Sequence, residues 1–568
     1  MKILKLILLL LILHTLAFSQ PLSMYTITTN LRKSIATKLK GENGKIVKEI
    51  YAKTGNRPLW VGTKNAQKMS ALIQAFKDPL FNYKNKLFDQ KAIEKLLYYL
   101  DNNTIPVSKR AITYARLDLL LTNSYVRLVR FIVQGDVDWD LVQKKFATLK
   151  ESDDIHAIWE IKPKHFPPHG PLISAIKKGE IRSYLESLIP FKRRYRKLIK
   201  ILKSYRTMEK FPQISYSDIP LKIGDSNNRV LQVKKRLQIS GDYPKWAKLY
   251  KKFDKLMQKA VMTYQKRYLL EVTGQIDNIM IQYLNQPVHK NIQAIITNLD
   301  KTKLYPKYLE NEYIEINIPD FNLRYYKNRK MVLKKSIVVG RIDRPTPVFD
   351  NKIKYIVINP TWTITDNLIK RDLIHVLREY PDYLINHNIH VFKGNKEVSI
   401  TQEELDPYEY SNKRVPWRFV QLPGDDNALG RIKFMFPNKY EVYLHDTDNK
   451  SLFDRRYKVY SSGCMRVEQP FKLAHFVLQH SKNNWNRKKI EDIIKTNKPK
   501  TIVLTKPIPI HIVYFTVYEE NGLAYFKYDI YMYDQIIHES SENYKKSVFN
   551  VPKNRMISIK KQKRKQFN

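Results

Sequence analysis

Between about Lys45 and Tyr205 apolar residues recur at intervals of three and four, the period of an amphipathic helix. Ala115, Leu117, Leu119, Leu120, Leu121, Tyr125, Leu128 and Ile132 make one broad face. Leu185, Leu188, Tyr195, Leu198, Ile201 and Leu202 make another, with Pro190 breaking it. Gly135, Asp136 and Asp138 end the first, and Pro163, Pro167, Pro168 and Pro171 crowd the connection between the two. A helical scaffold is expected over residues 20–219. Residues 220–305 predict a smaller three-helix unit. Val230, Val233 and Leu237 share one face, Gly241-Asp242 turns the chain, and Phe253, Leu256, Ala260, Val261 and Tyr264 share the next.

From Glu312 the period changes to two. Tyr313 to Ile318, Val332 to Val339, Tyr355 to Ile358, Ile432 to Phe436 and Tyr440 to Leu444 read as short strands separated by Pro, Gly and Asn. Such strands predict a β-sandwich or barrel over 306–495, so the chain as a whole reads as multidomain α+β. Residues 361–418 interrupt the pattern with a helix from Leu368 to Leu377 and then polar, aromatic loops, the texture of an inserted lid. Residues 496–550 are expected to pack back on the scaffold or on the β domain, and 551–568 to form a basic, disordered tail.

The N-terminus reads as an export signal over residues 1–19. Lys2 and Lys5 precede a mostly apolar run from Leu6 to Leu16, and Ala17-Phe18-Ser19 forms a cleavage site. That run is shorter than the ~20 residues needed to span a bilayer. The expected destination is the periplasm or cell envelope. With 101 Lys+Arg against 54 Asp+Glu the net charge is +47. The basic residues are scattered from end to end, which argues against nucleic acid and for attraction to an anionic envelope surface. A monomer is expected.

Cys464 is the only cysteine, so it cannot form an intramolecular disulfide. A free cysteine is often just a small buried hydrophobe, but here the neighbours suggest chemistry. A thiol with pKa near ~8.5 needs a base to become a nucleophile. His445 lies nineteen positions upstream, at the end of an alternating segment. Gly463 allows a turn that would aim main-chain N–H groups at a developing oxyanion. A helix starting behind Pro470 would bring its positive end near the thiolate and lower its pKa. The 13 histidines show no metal-ligand spacing, and with only 16 glycines no phosphate-cradling loop is evident. Neither metal nor cofactor is expected.

The series Pro423 to Arg431, Tyr443-Leu444-His445-Asp446-Thr447 and Ser461-Ser462-Gly463-Cys464-Met465-Arg466-Val467 resembles the L,D-transpeptidases, in particular the large scaffolded type of Gram-negative bacteria. Asn317-Ile318-Pro319, Val339-Gly340-Arg341, Arg344-Pro345-Thr346-Pro347, Asn359-Pro360-Thr361-Trp362 and Asp529-Ile530-Tyr531 support it. Ala260-Val261 with Tyr264-Gln265, then Thr273 to Asp277, resembles the peptidoglycan-binding repeat, although Leu269, Leu270 and Asp277-Asn278 stand where glycines are usual.

The resemblance implies peptidoglycan stem peptides as substrate and Cys464 as acyl carrier. His445 would be the base, oriented by the Asp446 backbone carbonyl, with the Gly463 and Cys464 amides as oxyanion hole. Arg466, Ser462, Tyr443, Trp362 and Trp417 are candidate substrate contacts, whereas Arg431 reads as structural. Ser462 stands where many relatives have a second histidine. Carboxypeptidase activity, protein attachment to the wall and a non-catalytic wall-binding scaffold remain alternatives. A papain-like endopeptidase would place cysteine before histidine, and a sortase lacks the Ser-x-Gly-Cys turn and the scaffold.

Overall fold

The computed structural model describes residues 23–541 except 62–65, 103, 153–156, 209–210 and 269. The expected export signal and basic tail lie outside the described residues.

The helical part is organised on a 27-residue helix, Val107–Val133, which buries Ala115, Leu121, Tyr125, Leu128 and Ile132. It starts behind Pro106, whose fixed φ suits a helix start, and Gly135 at φ +77° turns the chain just past its end. Pro190 separates helices Ile181–Ser187 and Lys192–Met208. The three-helix unit starts each helix the same way. Asn227, Asp254 and Asp277 accept the N–H groups of Val230, Met257 and Met280, satisfying donors that helix starts leave open. Asp277, a departure from the glycine pattern, is thus a helix cap.

The β domain contains β1 (Tyr313–Asn317), β2 (Asn322–Lys327), β3 (Lys330–Gly340), β4 (Asp350–Ile358), β5 (Trp362–Thr363), β6 (Ile389–Lys393), β7 (Lys396–Glu397), β8 (Arg418–Gln421), β9 (Ile432–Met435), β10 (Leu444–His445), β11 (Val459–Ser461), β12 (Met465–Val467) and β13 (Lys500–Val513). Nine of these pair in the order β11-β3-β12-β10-β9-β4-β13-β1-β2, and β2 also pairs with β3. The ladder therefore closes on itself, with β11 as a side strand on β3. Ile316, Ile337, Val339, Ile356, Phe434, Leu444, Met465 and Ile510 fill its interior.

Three sequence expectations need correction. The boundary at 495 cuts the domain short, because β13 is an internal strand lying between β4 and β1. Beyond it, the hairpin β14 (Val517–Glu520) and β15 (Leu523–Phe526) joins the helical core through Val517 and Ala524. The scaffold also reaches into the β domain, where Trp139, Val142, Phe146 and Trp159 share the barrel core. Finally, the stretch after residue 377 is not only loop: β6, β7 and β8 join β5 in a four-stranded sheet with its own core of Ile364, Ile374, Val391, Leu405 and Phe419.

Candidate active site

β9, β10 and β12 run side by side on one wall of the barrel. β10 pairs with β9 so that His445 stands opposite Lys433, and with β12 so that His445 stands beside Arg466. Directly paired residues point to the same face of a sheet, so Lys433, His445 and Arg466 form a row across three strands. All three line a cleft of ≈1610 Å³ together with Cys464, whose residue immediately precedes β12. The opposite side of the cleft is the lid, which contributes Trp362, Asp372 and Trp417.

The turn carrying Cys464 is tightly held. Gly463 has φ +112°, a conformation L side chains rarely adopt. Its carbonyl accepts from Thr346 Oγ1 at 2.9 Å, and Thr346 Oγ1 accepts from the Gly340 N–H at 2.9 Å. The Tyr531 hydroxyl donates to the Gly340 carbonyl at 2.7 Å and accepts from the Thr346 N–H at 3.2 Å. On the other side, Ser461 Oγ donates to the Cys464 carbonyl and accepts from the Gly463 N–H at 3.3 Å. The Gly463 amide, expected in an oxyanion hole, is therefore already engaged within the turn.

The thiol faces the Glu441 carbonyl, Sγ to O 3.8 Å, and Glu441 itself sits at φ +56°. That left-handed residue stops the strand expected over Tyr440–Leu444, leaving only Leu444–His445 paired. Cys464 is partly exposed to the cleft. Protein packed around its sulfur nevertheless pushes the thiol pKa up to about 11, against the pull of Tyr443, Lys433 and Arg466. This overturns the expectation of a helix-depressed thiol. Helix Pro470–Val477 does follow, but none of its residues lines the cleft.

His445 is buried, and its pKa falls to about 3, first through burial and then through the positive charges of Arg466, Lys433 and Lys450. The Asp446 backbone carbonyl is the one influence favouring the protonated ring, while Nδ1 completes no hydrogen bond. Asp446 is fixed through its side chain, which accepts from the Arg431 N–H at 3.0 Å and pairs with Lys450. It lies so close over Gly430 that a Cβ there would come within 2.4 Å of Oδ2. The Arg431 guanidinium binds Asp425 at 2.8 Å and Asn497 at 2.6 Å, the structural role its sequence position suggested. The resting pair is thus a neutral thiol and a neutral imidazole.

The other expected contacts are distributed around this centre. The Tyr443 ring stands edge-on to His445, centroids 5.7 Å apart, with Lys433 over its face at 5.6 Å. Ser462 accepts from Arg344 Nη1 at 3.1 Å, and Arg344 also pairs with Asp372 of the lid. Trp362 and Trp417 line the cleft but pack against the lid core, Trp417 edge-on to Tyr408 at 5.8 Å. Lys433, Thr346, Ser461 and Tyr531 were not singled out from sequence as functional residues. Among the described residues no group of three His, Cys, Asp or Glu side chains converges as a metal site, and no helix is long and apolar enough to cross a membrane.

Residues 311–504 match the family described as L,D-transpeptidase catalytic domain, 45–202 the scaffold domain, and 226–284 the "Putative peptidoglycan binding domain". A Haemophilus influenzae protein named "Putative L,D-transpeptidase" is 31% identical over 252 residues, which cover 44% of this chain and 50% of that protein. The chain thus spans about half the length of that relative. A solved L,D-transpeptidase from Xylanimonas cellulosilytica is 13% identical, with 53% of this chain and 98% of that one covered and a TM-score of 0.18. For one from Stackebrandtia nassauensis the values are 11%, 53%, 96% and 0.18. Likeness at such scores adds no weight.

Proposed function

The chain carries an L,D-transpeptidase catalytic domain with a scaffold and a peptidoglycan-binding domain, and we propose that it forms 3→3 cross-links between peptidoglycan stem peptides through a Cys464 thioester. The carrying observation is the lone thiol on a clamped turn at the cleft wall, one strand from a buried, neutral His445.

In the first half-reaction Sγ bonds to the carbonyl carbon of the third residue of a tetrapeptide donor, and the thiol proton passes to His445. The C–N bond then breaks, the proton goes to the departing amine, and D-alanine leaves. In the second, the side-chain amine of another stem attacks the thioester. The C–S bond breaks, a proton returns to sulfur by way of His445, and the new amide is the cross-link. The Cys464 N–H, which is not tied into the turn as the Gly463 N–H is, serves as the oxyanion donor on this reading. The setting is the cell envelope, where an exported chain of net charge +47 meets an anionic polymer.

The test has two arms. Intact mass after exposure to a carbapenem, an acylating mimic, should show one adduct on the wild type and none on Cys464→Ala. Digests of wall material incubated with the protein should contain dimers joined between diamino acids. Trimmed tripeptides without such dimers would identify a carboxypeptidase, and no adduct on the wild type would remove the enzyme reading.

A further inference from the structure

Lys433 and Arg466 flank His445 at the cleft wall, and among the described residues neither side chain makes a hydrogen bond or ion pair, Arg466 Nε being buried without a partner. This is unusual for half-buried cations, whose cost of leaving water is normally offset by a partner. Of the acidic side chains lining the cleft, Asp366 and Asp372 are already paired to Lys370 and Arg344, which leaves the exposed Glu441. Arg466 feels Asp448, but among the described residues the acidic group that acts on Lys433 is Cys464, once its thiol ionises.

The order of the strands says which part of a substrate meets each cation. Cys464 leads into β12, His445 lies on β10, and Lys433 lies on β9, the next strand in the same direction. The acyl carbon must sit at Cys464 and the departing nitrogen at His445. The part of the leaving group beyond that nitrogen is displaced towards β9. In an amino-acid leaving group the carboxylate carbon lies two bonds from the nitrogen, ~2.5 Å, and strands are ~4.8 Å apart. A lysine stem spans the remainder.

Building on the proposed transfer reaction, we infer that Lys433 binds the α-carboxylate of the leaving D-amino acid, so that the cleft selects donors whose scissile bond is followed by a single residue with a free C-terminus. The phenyl face of Tyr443 steers the ammonium, since Lys433 Nζ lies over that ring at 5.6 Å. Arg466, on the acyl side of His445, is left for a carboxylate that stays on the enzyme.

The test crosses substrate with protein. The full chain is assayed for D-alanine or D-alaninamide release from a tetrapeptide stem and from the same stem with a C-terminal carboxamide, using wild type, Lys433→Met and Lys433→Arg. The wild type should prefer the free acid by about 10- to 100-fold in kcat/KM, the range of a charge-assisted contact. Lys433→Met should bring that ratio to within about threefold, chiefly through KM for the acid, and Lys433→Arg should restore part of it. Loss of the field at Cys464 or His445 slows both donors equally and leaves the ratio unchanged, so a ratio preserved in Lys433→Met overturns the inference. A wild type indifferent to the carboxamide also overturns it. Carbapenem adduct formation on Lys433→Met confirms a folded site, and absence of the adduct from the wild type would instead count against the transfer reaction itself.

Discussion

The two sides of the cleft are built on opposite plans. The Cys464 side is a turn locked by buried, mostly neutral hydrogen bonds that reach Thr346 and Tyr531, 117 and 185 positions from their partners. The lid's side is a small sheet with a private core, tied to the turn through the Arg344 side chain, which touches Ser462 and Asp372. Buried neutral bonds resist water and hold geometry, whereas a part-exposed ion pair is screened and opens at little cost. One side holds the Cys464 sulfur still, and the other can open at little cost.

By that contrast, damage to the turn should cost far more than damage to the latch. Gly463→Ala is the most severe probe. A Cβ there would meet nothing closer than Val442 Cγ1 at 3.5 Å, so the penalty lies in the φ of +112°. Relaxing that strain re-aims the Cys464 N–H and the thiol. Carbapenem acylation should slow by roughly a hundredfold, as expected when reacting groups move by ~1 Å, while the melting temperature falls by only a few degrees. An unchanged acylation rate would show that the turn tolerates another conformation.

Thr346→Val is milder. It removes the donor to the Gly463 carbonyl and leaves the Gly340 N–H without its acceptor in a buried place. The expected loss in acylation rate is about tenfold, with ~1–3 kcal/mol of stability lost for the unsatisfied groups, read by denaturant unfolding. Stability lost without any slowing of acylation would mean that Thr346 supports the barrel and not the nucleophile.

Asp372→Asn breaks the latch by neutralising the partner of Arg344. Acylation by a small carbapenem should stay within about twofold of wild type, while KM for a stem peptide shifts by a few-fold, the effect of a part-exposed ion pair. A loss comparable to that of Thr346→Val would erase the distinction between the two sides.

Much of this contrast comes from how far apart in sequence the interacting residues are. Cys464 and His445 could be read because a lone thiol on a glycine turn after a strand-end histidine is a local pattern, and the helical periods around Leu121 and Leu198 are local too. The clamp could not be read: Thr346, Gly340 and Tyr531 sit in segments of the family pattern, but only the folded barrel brings them to Gly463. Lys433 was hidden for another reason. Between Ile432 and Phe434 it looks like the solvent side of an alternating strand, and only the registers with His445 and then Arg466 show that this side faces the cleft. The thiol's raised pKa is not legible in the sequence, because a helix start there says nothing of where its axis points.

The smallest effect expected is also the most diagnostic for the resting state of the site. An ordinary imidazole with pKa near ~6.5 would be only ~3% neutral at pH 5, so a rate that needs neutral His445 would drop about thirtyfold from pH 8. Burial, Arg466 and Lys433 hold His445 at about 3, and burial holds Cys464 at about 11. Both groups then keep their resting protonation from pH 5 to pH 8, and the second-order rate of carbapenem acylation should vary by less than about twofold. A preformed thiolate–imidazolium pair would instead lose rate on the acid side as the thiolate takes up a proton. The sign can be checked by substitution: Arg466→Met removes a positive charge that opposes protonation of His445, so its pKa rises and an acid limb should move up toward pH 5. A bell-shaped profile in the wild type, or an acid limb indifferent to Arg466, would replace the neutral pair by the ionic one.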